Sequence, residues 1–323
     1  MSEELSLELP GGRTLAYAHS GNPNSSVLLI FFHGVCGIGD ASNPNPVLDA
    51  KNIHFVAPTL PGWGTSSPLP ASTPYHVGLA ADMTALIKHL YPDDSNLKLY
   101  VSGGSYGTIP AQMLYGAPFD IFPPGLYLEG CLVLAPFSPF RYHKDYTKSM
   151  TTPNWISVGP PSQLVPFRLV QRLIVLVMSR QTNTEARAEK FIRGTLFDNM
   201  GEEEKAAFEK WKAAHGKKDG ELERSMARNV VKSMARTWAG FLEVSDVAHS
   251  DWGFRPDALD ADHARRPIMV VASVGDTMAP DAMAKWLVAN YKNAKLKSVT
   301  GGHLASLFHL DEIYEEFLEG VQG

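Results

Sequence analysis

"YVSGGSYGTI", residues 100–109, closes an apolar run and sets three glycines around one serine. An ordinary strand-to-helix connection does not need so much flexible backbone. Gly103, Ser105 and Gly107 form G-x-S-x-G, with the strand-like "LKLYVSG" before them and the helix-compatible "YGTIPAQMLYG" after. In that setting the serine takes strained backbone angles, and glycines two before and two after it avoid clashes with the neighbouring strand and helix. The strain aims the Ser105 hydroxyl outward, at the start of the helix.

The same kind of strand recurs along the chain. "VLLIFFHG" (27–34) is a continuous apolar run, and "NIHFVAP" (52–58), "CLVLAPF" (131–137), "PIMVVASVGD" (267–276) and "AKLKSVTGGH" (294–303) are similar. Continuous runs of this kind mark strands buried on both faces of a sheet. At the N-terminus Leu5, Leu7 and Leu9 alternate with polar neighbours before "GG" and "RTLAYAHSG", which predicts a hairpin. Helical patterns fall between the runs. One starts at Pro74, carries Leu79, Met83, Leu86, Ile87 and Leu90 on one face, and stops at Pro92. Others fit 280–292 and the closing segment with Leu307, Leu310, Tyr314, Phe317 and Leu318. Alternating strands and helices predict an α/β fold, a mostly parallel sheet covered on both faces.

The alternation stops between about 140 and 255. A proline-rich entry, an apolar helix near 167–179 and a charged helix near 201–214 come first. A longer helix then carries Met226, Val230, Met234, Trp238 and Phe241 along one side. The expected division is a core of 1–140 and 250–323 with a helical cap insertion at 141–249, its apolar helix packed against the core.

Composition adds exclusions. The chain has 323 residues, 44% of them hydrophobic, and a net charge of −5 without a Lys/Arg stripe, so nucleic acid is not an expected partner. Two cysteines make no disulfide framework, and Cys131 lies in a strand-like run as a small buried hydrophobe. The acidic start "MSEELSLELP" lacks the basic and apolar regions of a signal peptide. The most apolar stretch, 164–179, is broken by Pro166, Arg168 and Arg172 and falls short of the roughly 18 uninterrupted residues of a membrane span. The expected location is the cytoplasm.

A serine hydroxyl needs a base, commonly a histidine oriented by a carboxylate. After "IMVVASVG" comes Asp276, and after "KLKSVTGG" comes His303. Both stand at strand ends, in the order serine, acid, histidine, 27 residues apart, which leaves room for one helix and one strand. His33 also ends a strand but precedes Gly34 in an early loop and is read as holding that loop's backbone. His249, His263 and His309 lie in loop or helix patterns. Asp246 and Asp251 precede the returning strand, and Asp281 lies inside the next helix. Asp276 also has a plainer reading, as a cap for the helix after Pro280. Acyl transfer further needs donors for a developing oxyanion. The backbone N–H of Tyr106 is one; the second is assigned to Val35, with Cys36 as the alternative.

At these residues the chain resembles the α/β-hydrolase superfamily, in its capped serine-hydrolase branch. "FFHGVCG" is similar to the family's His-Gly oxyanion loop, "APTLPGWGTSS" to its Pro-Gly-x-Gly-x-Ser turn, and "GGSYG" to its nucleophile elbow. "SVGDTMAP" resembles the acid loop, "TGGHLAS" the histidine loop, and "DWGFRPDALD" the segment that re-enters the core after the cap. The resemblance implies an eight-stranded sheet and a triad of Ser105, Asp276 and His303. Cys36 stands where the family's oxyanion loop commonly has proline. A serine in the elbow excludes the branches that carry aspartate there, such as epoxide hydrolases and haloalkane dehalogenases.

The expected activity is hydrolysis of a carboxylic ester, thioester or lactone through an acyl-serine, with a small, hydrophobic acyl substrate and no cofactor or metal. Three other readings stay open. Two are an aminopeptidase like the proline iminopeptidases, whose "GGSWG" is similar but whose "HGGPG" is missing here, and a carbon–carbon bond hydrolase with the same triad. The third, from another class, is a non-catalytic binder of a small ligand on the same fold.

Overall fold

Eight strands form a single sheet in the order β1-β2-β4-β3-β5-β6-β7-β8 in the computed structural model, which describes residues 4–93 and 96–321. They are β1 (Leu5–Leu9), β2 (Arg13–Ser20), β3 (Val27–Phe32), β4 (His54–Pro58), β5 (Lys98–Gly104), β6 (Leu128–Leu134), β7 (Ile268–Ser273) and β8 (Ala294–Val299). The predicted hairpin is β1 paired antiparallel with β2, and β2 runs antiparallel to β4. Every other pairing is parallel. The continuous apolar runs are the buried strands: β7 is buried at every residue, and Cys131 lies fully buried in β6. β8 differs. It lies at the sheet edge with Lys295 and Lys297 paired to Glu316, charges that discourage pairing with another chain.

Helices cover the sheet where the periodicity placed them. The first runs Tyr75–Leu90, directly after Pro74, and buries Leu79, Met83, Leu86 and Ile87. Asp82 on that helix accepts both arms of Arg13 from β2 at 2.7 Å, which pins the hairpin to the core. Asp281–Asn290 lies between β7 and β8, and the closing segment is a 3₁₀ turn, Ala305–His309, leading into Leu310–Phe317.

Between β6 and β7 only helical elements occur among the described residues. Two expectations are corrected there. The single long helix is two, Glu221–Ser233 and Ala239–His249. The carbonyl of Ser233 is taken by the Gly64 N–H at 2.8 Å, and the Thr237 hydroxyl accepts from the Ala239 N–H, so the chain stops and restarts. The apolar helix runs Leu169–Gln181, starting later than expected because Phe167 and Arg168 have φ of 60° and 54°. Only part of its apolar surface meets the core: Met178 packs against the core cluster, while Leu169, Leu173, Leu176 and Val177 are exposed. The proline-rich entry forms two short helices, Thr152–Ser157 and Pro160–Leu164, each with proline in its first turn, where its missing N–H costs nothing.

Candidate active site

The elbow is built by close backbone approach. Ser105 has φ 53°, in the left-handed region that a residue with a side chain rarely occupies. A Cβ on Gly103 would lie 2.1 Å from the Gly107 carbonyl oxygen, and one on Gly107 would lie 2.1 Å from that of Phe32. Those two glycines are therefore required by contact with backbone. The third, Gly104, has nothing nearer than the Phe31 ring at 3.6 Å, so the sequence carries one more glycine here than the geometry needs. Beyond the serine, the Thr108 hydroxyl donates to the Ser105 carbonyl at 2.6 Å and accepts from the Phe137 N–H. Gln112 donates to the Phe137 carbonyl at 2.9 Å. Both side chains are fully buried, and they tie the helix Thr108–Gly116 to the loop after β6.

Asp276 and His303 come together at the ends of β7 and β8, on the rim where β5 delivers Ser105. The His303 Nδ1–H donates to Asp276 Oδ2 at 2.7 Å. The other oxygen, Oδ1, accepts from the N–H groups of Met278 and Ala279 at 2.7 and 3.0 Å. The plainer reading of Asp276 does not hold: the helix after Pro280 has no side-chain cap, and the carboxylate instead holds the turn after β7 while its second oxygen faces the imidazole. The carboxylate has no solvent exposure and the imidazole keeps 13%. The two loops are also joined through backbone, the Gly275 N–H donating to the Gly301 carbonyl at 2.8 Å. Ser105 is half-buried, and no hydrogen bond joins its hydroxyl to His303 among the described residues. In sites of this type such bonds are often long before substrate binds.

The early loop closes the rim from the other side. Residues 34–37 form a turn in which the Gly37 N–H donates to the Gly34 carbonyl at 3.2 Å. A Cβ on Gly34 would lie 3.4 Å from the Ser105 Cβ, so this loop abuts the elbow. Cys36 occupies the turn with φ 61°, an angle proline cannot adopt, so the departure from the usual proline matches the way the loop is wound. Its thiol is buried and pushed up to about 12 by that burial, while Val35 is 39% exposed. No acceptor takes the Val35 N–H among the described residues. The Tyr106 N–H lies at the start of a 3₁₀ turn, where amide donors lack a partner within the helix. Its side chain is buried, and burial pushes the phenol well above its ordinary range.

The rival residues are engaged elsewhere. The Nδ1–H of His33 donates to the Gly34 carbonyl at 2.8 Å, its Nε2 accepts from the Leu60 N–H at 3.0 Å, and burial pulls its pKa down to about 4. It stays neutral and fixes the loop. His249 meets the Tyr146 hydroxyl, and His263 contacts Asp260 and the Ala117 carbonyl. Asp246 pairs with Arg168, Asp251 with Arg141, and Asp281 with Lys285.

Sequence reasoning missed Glu204. It sits in the helix Glu202–Ala214, in a charged run that reads as a solvated face, yet it is 3% exposed. Its Oε2 accepts from the Gly302 N–H at 2.8 Å, directly beside His303. No local signal could have found it, because the contact spans 98 residues. Asn154 makes a second link of this kind, donating to the Thr277 carbonyl at 2.7 Å beside Asp276.

An alcohol on an elbow, an imidazole held by a carboxylate and free amide donors nearby make the set that acyl transfer requires. Among the described residues no cluster of histidine, cysteine and acidic side chains could hold a metal ion. A family model described as "Alpha/beta hydrolase family" matches residues 29–318. No curated protein matches the sequence. Among solved structures, a hydrolase from Pseudomonas aeruginosa PA01 is similar at 16% identity and TM-score 0.61, over 98% of this chain and 99% of that one. A bromoperoxidase from Bacillus anthracis is similar at 14% identity and TM-score 0.62, over 98% of this chain and 100% of that one. A thermophilic esterase from Thermogutta terrifontis matches at 15% identity and TM-score 0.54, over the whole of both chains. At such identities the likeness carries the fold and nothing finer.

Proposed function

This chain belongs to the alpha/beta hydrolase family, and from that premise we propose that it hydrolyses a carboxylic ester, thioester or lactone through an acyl-serine intermediate. Ser105 is the nucleophile, His303 the base and Asp276 the acid that orients it. The observation that carries this reading is the 2.7 Å hydrogen bond from His303 Nδ1 to Asp276, on the rim that holds the strained Ser105. With Nδ1–H committed to the carboxylate, Nε2 is the nitrogen left to take a proton.

In the proposed cycle Ser105 Oγ attacks the acyl carbon while His303 Nε2 removes its proton. Negative charge develops on the former carbonyl oxygen, and the N–H groups of Tyr106 and Val35 are the proposed donors to it. The imidazolium protonates the departing alcohol or thiol, leaving acyl-Ser105. A water then gives its proton to Nε2 and attacks the acyl carbon, and the same proton returns to Ser105 as the acid product leaves. Asp276 stabilises the imidazolium in both halves and changes protonation in neither.

Residues 141–249 are the proposed cap. Glu204 and Asn154 support that reading, since each carries a contact from this segment to a loop of the site. Val35 and Val274, both exposed near the rim, favour a hydrophobic acyl group. A series of nitrophenyl esters of rising acyl length tests the proposal. Turnover that increases beyond acetate and disappears in Ser105→Ala is expected; turnover surviving in that variant would contradict it.

A further inference from the structure

We infer that the outer face of the helix Leu169–Gln181 docks onto an anionic lipid surface. Leu169, Leu173, Leu176 and Val177 follow one another at helical spacing and all point to solvent; Leu173 is 56% exposed and Val177 57%. Phe167, just before the helix, is 87% exposed, on a backbone held at φ 60°. Leu164 extends the same apolar surface at 80% exposure. Contiguous exposed apolar surface of this kind marks an interaction site on a folded protein.

Charge indicates what covers it. The chain has a net charge of −5, yet residues 146–184 contain no aspartate or glutamate and four basic side chains. Two of these, Arg172 and Arg180, are exposed, flank the leucine stripe and have no carboxylate partner among the described residues. An apolar stripe rimmed by arginine on a surface helix has the form of an interfacial helix, its leucines at the acyl boundary and its guanidinium groups among anionic headgroups. A second copy of the chain fits poorly, because a two-fold contact would set the same two arginines, neither with a carboxylate partner, against each other. An acidic protein fits less well too. Leucine and valine seldom anchor protein interfaces, and the stripe is a convex helix face with few aromatic anchors. No helix of the described residues is long and apolar enough to cross a membrane, so the contact is peripheral. The neighbouring helix Thr152–Ser157 reaches the acid loop through Asn154, so docking would bring the candidate site close to the lipid surface.

The inference does not rest on the acyl-serine chemistry, and its test reads binding alone. The full chain is floated with phosphatidylcholine vesicles, with and without phosphatidylserine, at low and raised salt. Binding to the phosphatidylserine vesicles is expected, weakened by salt and retained in Ser105→Ala. Arg172→Gln with Arg180→Gln should weaken it roughly thirty-fold, at about five-fold per arginine. Leu173→Ser with Leu176→Ser should abolish it while leaving the thermal midpoint within a few degrees, since both side chains are more than half exposed. Equal partition of the parent and the serine variant would overturn the inference. So would self-association that the serine variant abolishes, or capture by polyglutamate in place of vesicles.

Discussion

Alanine placed at each elbow glycine in turn should give opposite outcomes within four residues of chain. At Gly107 the new methyl would lie 2.1 Å from the Phe32 carbonyl oxygen and 2.7 Å from that of His33. An ordinary carbon-to-oxygen contact is roughly 3.4 Å, so the two backbones must part by more than an ångström, with no flexible side chain to absorb it. Overpacking of this sort costs up to about 3 kcal/mol. The segment pushed aside leads into the loop of Gly34 and Val35, and displacement of about 1 Å at a reacting centre can cost 10²-fold in rate. Gly103→Ala meets the Gly107 carbonyl oxygen at the same 2.1 Å and should behave alike. Gly104→Ala meets only the Phe31 ring at 3.6 Å and should change stability by less than about 0.5 kcal/mol. Urea unfolding gives the first number, and the rate of Ser105 acylation by an activated ester gives the second. Matching behaviour of Gly104→Ala and Gly107→Ala would refute the steric account of the elbow.

Other outcomes follow from the same contacts. His33 is neutral when folded, with its pKa drawn from 6.5 to about 4 by burial, so the unfolded chain binds the extra proton between those values. Stability should fall as pH drops through that window, by roughly 3 kcal/mol for this ring, and urea midpoints of His33→Asn should fall less steeply than those of the parent. Asp276→Asn should keep the fold and lower ester turnover by about 10⁴-fold; a loss below tenfold in steady-state assays would contradict the assigned role. Glu204→Ala should cost about 1–3 kcal/mol as the Gly302 N–H loses its buried acceptor, and should speed hydrogen exchange at the Gly302 amide. Glu204→Gln, which keeps an acceptor there, should restore protection.

What the sequence made legible is what local spacing controls. The strands within such runs, 27–32 and 268–273, are buried on both faces, so their composition announces them, and the loops after β7 and β8 carry Asp276 and His303 at fixed offsets from strand ends. The elbow was readable because backbone crowding leaves glycine as the tolerated residue at 103 and 107. Where contacts reach across the chain, the reading failed. The break after Ser233 depends on Gly64, and Glu204 depends on Gly302, neither being near in sequence. The helix Leu169–Gln181 misled in another way. Its periodicity correctly predicts an apolar face, but periodicity does not say whether that face turns to the core or to water.

The whole proposed cycle depends on Ser105 being a nucleophile activated by His303. A fluorophosphonate probe, with the modified residue located by peptide mass, tests it most directly. One adduct is expected, on Ser105, forming at least about 10³-fold more slowly in His303→Ala and absent in Ser105→Ala. An adduct on another residue, or labelling of Ser105 at an unchanged rate without His303, would contradict it.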